Sequence, residues 1–364
     1  MASLVPDTMR AALLTGYGGP EVLQVRPDVP APVPGSDDVL IRVAACGINN
    51  TDINTRVGWY STSVTDGTSG DRFDESNPDN ATWGRGGIDF PRIQGADVCG
   101  EVVAAGSQAG ASLVGRRVLV DPWVRDPEDP ADRSLARYLG SEIDGGFAEY
   151  CVVPARNVHP VNSPLTDTEL ATFACSWSTA EHMLQRIDLA RGQRIVVTGA
   201  SGGVGSALVQ LAAIRGAEVV AVASASKAEQ VSALGAGAVV PRGDDTVARA
   251  VDATAGRIDA VADVVGGDDV GRWLGAIHPG GRFVTSGAIA GPVVEVDLRT
   301  LYLRDIEMIG ATVVPEGVFA DLLAHIEAGD VRPVLGGTWP LEQIHAAQDA
   351  FGTKQHVGSL AITL

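Results

Sequence analysis

The stretch IVVTGASGGVGSALVQLAA (195–213) limits the possible folds more than any other part of the chain. A β-branched run, a turn holding Gly199, Gly202, Gly203 and Gly205, and an apolar helical stretch follow without a break. That order describes a buried strand passing through a tight turn into a helix. Gly202 lets backbone approach a diphosphate, and Gly205 lets the helix lie close on the strand. The helix start turns unpaired N–H groups toward an anion. Ala200, Ser201, Gly202, Gly203 and Val204 are therefore the candidate phosphate cradle.

The flanks extend this unit. Strand and helix patterns alternate through EVVAVAS (218–224), KAEQVSALG (227–235), DAVADVVG (259–266), VGRWLGAIHPG (270–280) and RFVTSG (282–287). Strict β-α alternation predicts a doubly wound parallel sheet with helices on both faces. Upstream the pattern has period two, as in VLIRVAA, GEVVAAG, RRVLVDP and AEYCVVP, so the first part reads as a β-rich barrel or sandwich. The chain is thus an α/β protein with its parallel sheet in 162–331 and a β-rich unit in 1–161, to which 332–364 return. Two polar stretches, 61–90 and 123–145, read as long surface loops. The first either covers a pocket or is a plain excursion.

Charge and composition narrow the function. With 45 acids against 27 bases the net charge is −18, which repels phosphate backbones and argues against nucleic-acid partners. No apolar run approaches the ~20 residues of a membrane span. The N-terminal MASLVPDTMR lacks the order of a signal peptide, so a cytoplasmic location is expected. Cys46, Cys99, Cys151 and Cys175 are widely spaced, as reduced thiols would be.

The end of the second strand of the parallel sheet speaks to the cofactor. A dinucleotide whose ribose 2′-OH is free usually meets an acid there. VVAVASASKAEQ (219–230) has no acid between Glu218 and Glu229; it offers Ser224, Ser226 and Lys227, with Arg242 after the next strand. Hydroxyls and cations suit a 2′-phosphate, so NADPH is the expected cofactor. The other reading of Lys227 is a solvated helix residue.

The arrangement resembles the medium-chain dehydrogenase/reductase superfamily, which pairs a GroES-like catalytic domain with a Rossmann cofactor domain. Its zinc alcohol dehydrogenases carry G-[IV]-C-x-[ST]-D and G-H-E-x-x-G. Here GINNTD puts Asn49 at the cysteine position, and GADVCG puts Ala96 at the histidine position and Asp97 at the glutamate position. Cys175 alone matches a ligand position, so the resemblance implies no metal. GINNTDINTRVGWY and AxxGGVG are instead similar to the zinc-independent quinone oxidoreductase and enoyl reductase branch. That likeness implies hydride transfer to an activated C=C bond or a quinone. It implies Tyr60 as a donor to the acceptor oxygen, unless Tyr60 is only pocket wall. Thr51 and Asn54 would orient the acceptor or merely cap a loop. Asn49, Trp59 and Trp177 would line the pocket, although the two tryptophans suit a core equally. Thr179, Val265, Gly287 and Ala288 would meet the nicotinamide. The resemblance also implies a homodimer, with 282–298 as its apolar edge. The competing readings are an alcohol dehydrogenase with a degenerate metal site and a non-catalytic NADPH-binding protein.

Overall fold

A computed structural model describes residues 5–68 and 87–364. The Gly-rich turn leaves the centre of a six-stranded sheet in which every strand pair is parallel. Its order is Ala238–Pro241, Glu218–Ala223, Arg194–Val197, Ile258–Asp263, Ile277–Thr285, Glu307–Gly310. This is the Rossmann order, whose direction of winding reverses beside the strand that leads into the turn. Ligands of such sheets sit outside the carboxyl ends at that point. Ile195 and Val197 enter one core cluster and Val196 another, so both faces are covered. That is why these strands read as unbroken apolar runs. The turn demands glycine: Gly199 has φ +58°, and a Cβ on Gly205 would stand 2.1 Å from the Gly199 carbonyl oxygen.

The second large sheet has seven strands. Along it run Val158–Pro160, Arg117–Val120, Asp97–Ala105, Asp38–Ile48, Ser359–Thr363 and Leu335–Pro340, with Tyr150–Pro154 also on Asp38–Ile48. The last strand of the chain thus lies on Asp38–Ile48, with Ile362 opposite Cys46. A three-stranded sheet of Leu23–Pro30, Thr8–Leu14 and Arg92–Ile93 shares its core. The chain passes between the two large sheets beside the Gly-rich turn, where Gly358 N–H donates to the Ser201 carbonyl at 2.8 Å.

Three sequence expectations need correction or limits. First, 123–145 is not a surface loop throughout. Trp123–Val124 pairs with Arg137–Tyr138, and Trp123 and Tyr138 are buried against Val314 and Val318. The two aromatics supply the apolar surface, while the polar residues 127–135 between them stay exposed. Second, 282–298 does not hold the sheet edge. Ile277–Thr285 is bonded on both sides, which is why Phe283 and Val284 are fully buried; the edge on that side is Glu307–Gly310. Exposed Leu298, Tyr302, Leu303 and Met308 lie on and just before that edge. Third, most of the expected cover at 61–90 falls on 69–86, outside the described residues. Residues 61–68 do dock on the parallel-sheet unit: Thr68 N–H donates to the Ile289 carbonyl at 2.7 Å. A Cβ on Gly67 would lie 2.6 Å from that same carbonyl oxygen.

Candidate active site

A cavity of about 290 Å³ opens between the two units at the carboxyl end of the parallel sheet. One end is the Gly-rich turn. Gly202 caps the helix Gly203–Ile214 without a side-chain bond, so backbone N–H groups face the cavity. Ser201, Gly202, Gly203 and Val204 line it. Ala200 does not: it is wholly buried, its N–H bonded to the Val222 carbonyl at 3.0 Å, because the strand-to-helix contact needs it inside.

Ser224, Lys227 and Arg242 stand at the same end, while Ser226 is exposed behind them, its Oγ 3.2 Å from that of Ser224. Lys227 Nζ donates to the carbonyls of Lys354 (2.7 Å) and His356 (2.6 Å). Lys354 Nζ lies 3.8 Å from the Phe351 ring centroid and donates to Asn50 Oδ1 at 2.7 Å. Burial, then the charge of Lys227, pushes Lys354 down to about 8. Burial and the two lysines push His356 to about 4, so it is neutral at pH 7. Among the described residues no carboxylate lines the cavity, although the chain carries −18 overall. Lys354 and His356 escape a sequence reading because the tail FGTKQHVGS meets the cradle only after the last strand has joined the other sheet.

The opposite end is aromatic and neutral. Helix Asn50–Val57 ends at Gly58 in the left-handed region (φ 69°), which turns Trp59 and Tyr60 back along the helix. The Tyr60 phenol is hydrogen-bonded to the side chains of Thr51 and Asn54, and burial raises its pKa, so it keeps its proton. Among the described residues Asn54 Oδ1 is buried with no partner, an acceptor that a ligand hydroxyl would satisfy. Trp59 donates from Nε1 to the Asp66 carbonyl at 2.8 Å. Thr179, Val265, Gly287 and Ala288 also line the cavity. Trp177 does not. On helix Ala174–Arg186 the cavity face carries Cys175, Ser176 and Thr179, whereas Trp177, Ala180 and Leu184 point into the core, the Trp177 ring 4.9 Å from that of Phe173. Trp123 and Tyr138, which the sequence does not single out, stand on the wall instead.

The positions matching zinc ligands are tied up in another network. Asn49 Nδ2 donates to Asp97 Oδ2 at 2.7 Å, and Ser176 Oγ to Asn49 Oδ1 at 3.0 Å. Cys175 N–H donates to Asp97 Oδ1. Burial, then Asp97, holds the Cys175 thiol well above its ordinary pKa. Burial also pushes Asp97 up to about 6 and Asp52 to about 7. With an amide at Asn49 and a methyl at Ala96, only Asp97 and Cys175 remain at these positions as side chains of metal-ligating type, short of the three protein ligands a zinc site ordinarily takes. Among the described residues no group of three His, Cys, Asp or Glu side chains could hold a metal.

Comparison with known proteins places this architecture. Residues 35–163 match the alcohol dehydrogenase GroES-like domain and residues 203–328 the zinc-binding dehydrogenase family. A solved structure from Sinorhizobium meliloti 1021, provisionally assigned as an alcohol dehydrogenase, is 46% identical with TM-score 0.90, covering 99% of this chain and 97% of that one. Quinone oxidoreductase of Mus musculus is 28% identical over 94% of this chain and 93% of its own. NAD-dependent alcohol dehydrogenase of Sulfolobus acidocaldarius is 27% identical over 94% of this chain and 95% of its own. The chain belongs to the medium-chain dehydrogenase/reductase superfamily. It is an oxidoreductase of that superfamily, acting on a small molecule with a nicotinamide cofactor.

Proposed function

We propose that this oxidoreductase is NADPH-dependent and zinc-independent, and reduces an activated C=C bond (enone, enal or enoyl) or a quinone. The observation that carries the reading is the cavity's division into a cationic end at the glycine turn and a neutral end at Tyr60, with no carboxylate on its wall among the described residues. Gly202, Gly203 and Val204 would hold the diphosphate, and Lys227, Arg242 and Lys354 a 2′-phosphate. Thr179, Val265, Gly287 and Ala288 would hold the nicotinamide. When bound, that cofactor supplies the hydride for the β-carbon of a conjugated acceptor, whose electrons move onto its oxygen. Tyr60, kept protonated by burial, donates to that oxygen as its charge grows. Thr51 and Asn54 hold the phenol in place, and Asn54 Oδ1 can accept from the hydroxyl of the product.

We take 1–161 with 332–364 as the catalytic unit, 162–331 as the cofactor unit, and a cytoplasmic homodimer as the working form. The test is cofactor oxidation against a panel of quinones, enals, enones, enoyl thioesters and simple ketones, with NADPH and NADH and with chelator. Turnover of conjugated acceptors with NADPH, unaffected by chelator, supports the reading. Turnover of simple ketones alone, lost on chelation and restored by zinc, refutes it.

A further inference from the structure

The chain carries just two lysines, Lys227 and Lys354; apart from histidine, every other basic side chain is arginine. They lie 127 residues apart in sequence, yet both line the cationic end of the cavity. The end of helix Ile344–Gly352 places Lys354 there. It follows the C-cap Thr353 and takes φ 53°, a left-handed conformation that glycine ordinarily supplies at this point of a helix. Lysine is an uncommon choice for that backbone, so the explanation lies in its side chain.

Burial, then the charge of Lys227, disfavours the ammonium of Lys354 and brings it down to about 8. Desolvation and a neighbouring cation are the two ordinary means of making a lysine nucleophilic near neutral pH. A guanidinium in the same place stays charged. The amine is held at the cavity wall, where Nζ donates to Asn50 Oδ1 at 2.7 Å and lies 3.8 Å from the Phe351 ring centroid. Lys227 differs: its Nζ donates to two carbonyls, which favour the charged form. The surroundings decide what reaches the Lys354 amine. Lys227, exposed Arg242 and Ser224 stand beside it, with open backbone N–H groups at Gly202. Among the described residues no carboxylate lines the cavity. A reagent that carries a phosphate is drawn to this end, and a neutral one is not.

We propose that Lys354 is a site of acylation by small acyl phosphates. The phosphate of the reagent rests against Lys227 and Arg242 while the Lys354 amine attacks the acyl carbon. A C–N bond forms, and the bond from the acyl carbon to the phosphate oxygen breaks. The phosphate leaves with the proton that the amine gives up. The product is an uncharged amide, so the cationic end loses one of its charges and its hold on NADPH weakens. That last effect rests on the reading of this end as the 2′-phosphate site; the acylation does not.

Acetyl phosphate is the probe, used on the full chain at about pH 8, where half of Lys354 is neutral. Mass spectrometry of peptides follows both lysines, and each serves as the other's reference. Lys354 acetylates about tenfold faster than Lys227, the lower end of what a focused local concentration brings. Its rate saturates with acetyl phosphate and falls with added inorganic phosphate. Urea brings the two rates together, and Arg242→Gln lowers the Lys354 rate severalfold. Equal rates in the folded chain, or a Lys354 rate that neither saturates nor responds to inorganic phosphate, overturn the proposal. A second arm titrates NADP⁺ and NAD⁺ into the acetylated chain and into Lys354→Gln, which lacks the charge from the start. NADP⁺ binds about tenfold less tightly to both, the scale of one bond to a charged group, and NAD⁺ nearly as before. Lys354→Arg treated with acetyl phosphate keeps its NADP⁺ affinity. Equal loss of both cofactors defeats the 2′-phosphate reading, while the first arm still decides the acylation.

Discussion

At the Gly202 end the cavity wall is backbone and cation; at the Tyr60 end it is phenol, amide and thiol. The first end can meet an anion through N–H groups fixed by the helix and through long side chains that choose among partners. Lys227 shows the latter, resting on two carbonyls of the C-terminal segment. The second end is set by buried groups that hold one another, Asn49 to Asp97, Asp97 to Cys175, Cys175 to Tyr138. One end carries cations and open backbone N–H groups. The other is neutral, its polar groups bonded to one another.

Tyr60→Phe tests this division most sharply. Loss of the donor should lower kcat by ~10²–10³ on an enone or enoyl acceptor, the scale for removing one such donor, and by less on a quinone, whose product stabilises its own charge. Cofactor affinity, measured by fluorescence titration, should stay the same. If it falls as well, the two ends are not independent.

The buried carboxyls give the next largest effect. Burial raises Asp97 from 3.8 to about 6, so its folded form prefers the proton. The stability this contributes is complete below about pH 4 and is lost as pH rises through 6; Asp52, at about 7, extends the loss upward. Urea unfolding of the wild type and Asp97→Asn between pH 4 and 7 should show the wild type losing ground to the variant by on the order of 2–3 kcal/mol. A difference that does not change with pH would mean the Asn49 and Cys175 donors outweigh burial and keep Asp97 ionised.

A smaller change belongs to the cationic end. Lys227→Ala and Lys354→Ala should each weaken NADPH by roughly 1–3 kcal/mol, the range for a bond to a charged group, with NADH nearly unaffected. Equal loss of both cofactors would assign the lysines to the interdomain contact alone. The smallest effect is expected from a chelator. Prolonged dialysis against one should leave both rate and melting temperature unchanged, and elemental analysis should find no stoichiometric zinc.

The same contrast explains what could be read without coordinates. The cradle is contiguous in sequence, and its glycines are demanded by backbone contacts as close as the one between Gly205 and Gly199, so 195–213 announces both strand order and ligand. Thr51, Asn54 and Tyr60 were legible for a related reason: one short helix and its Gly58 cap bring them together. Tyr138 and Lys354 were not. Each reaches the cavity through pairings between distant segments, Trp123 with Tyr138 and Gly202 with Gly358, which no local pattern encodes. Trp177 misled because its sequence neighbours reach the pocket, while only helix phase says which way the ring itself points.

The contact of Thr68 with Ile289 has a consequence for how such a chain can change over generations. Surface connections ordinarily tolerate insertions and deletions. Residues 61–67 lie between a phenol on the cavity wall and a hydrogen bond to the loop that carries Gly287 and Ala288. Adding or removing a residue there would have to give up the bond to Ile289 or pull Tyr60 off Thr51 and Asn54. That span is a ruler between the two units, and its length should be far less free to drift than its sequence.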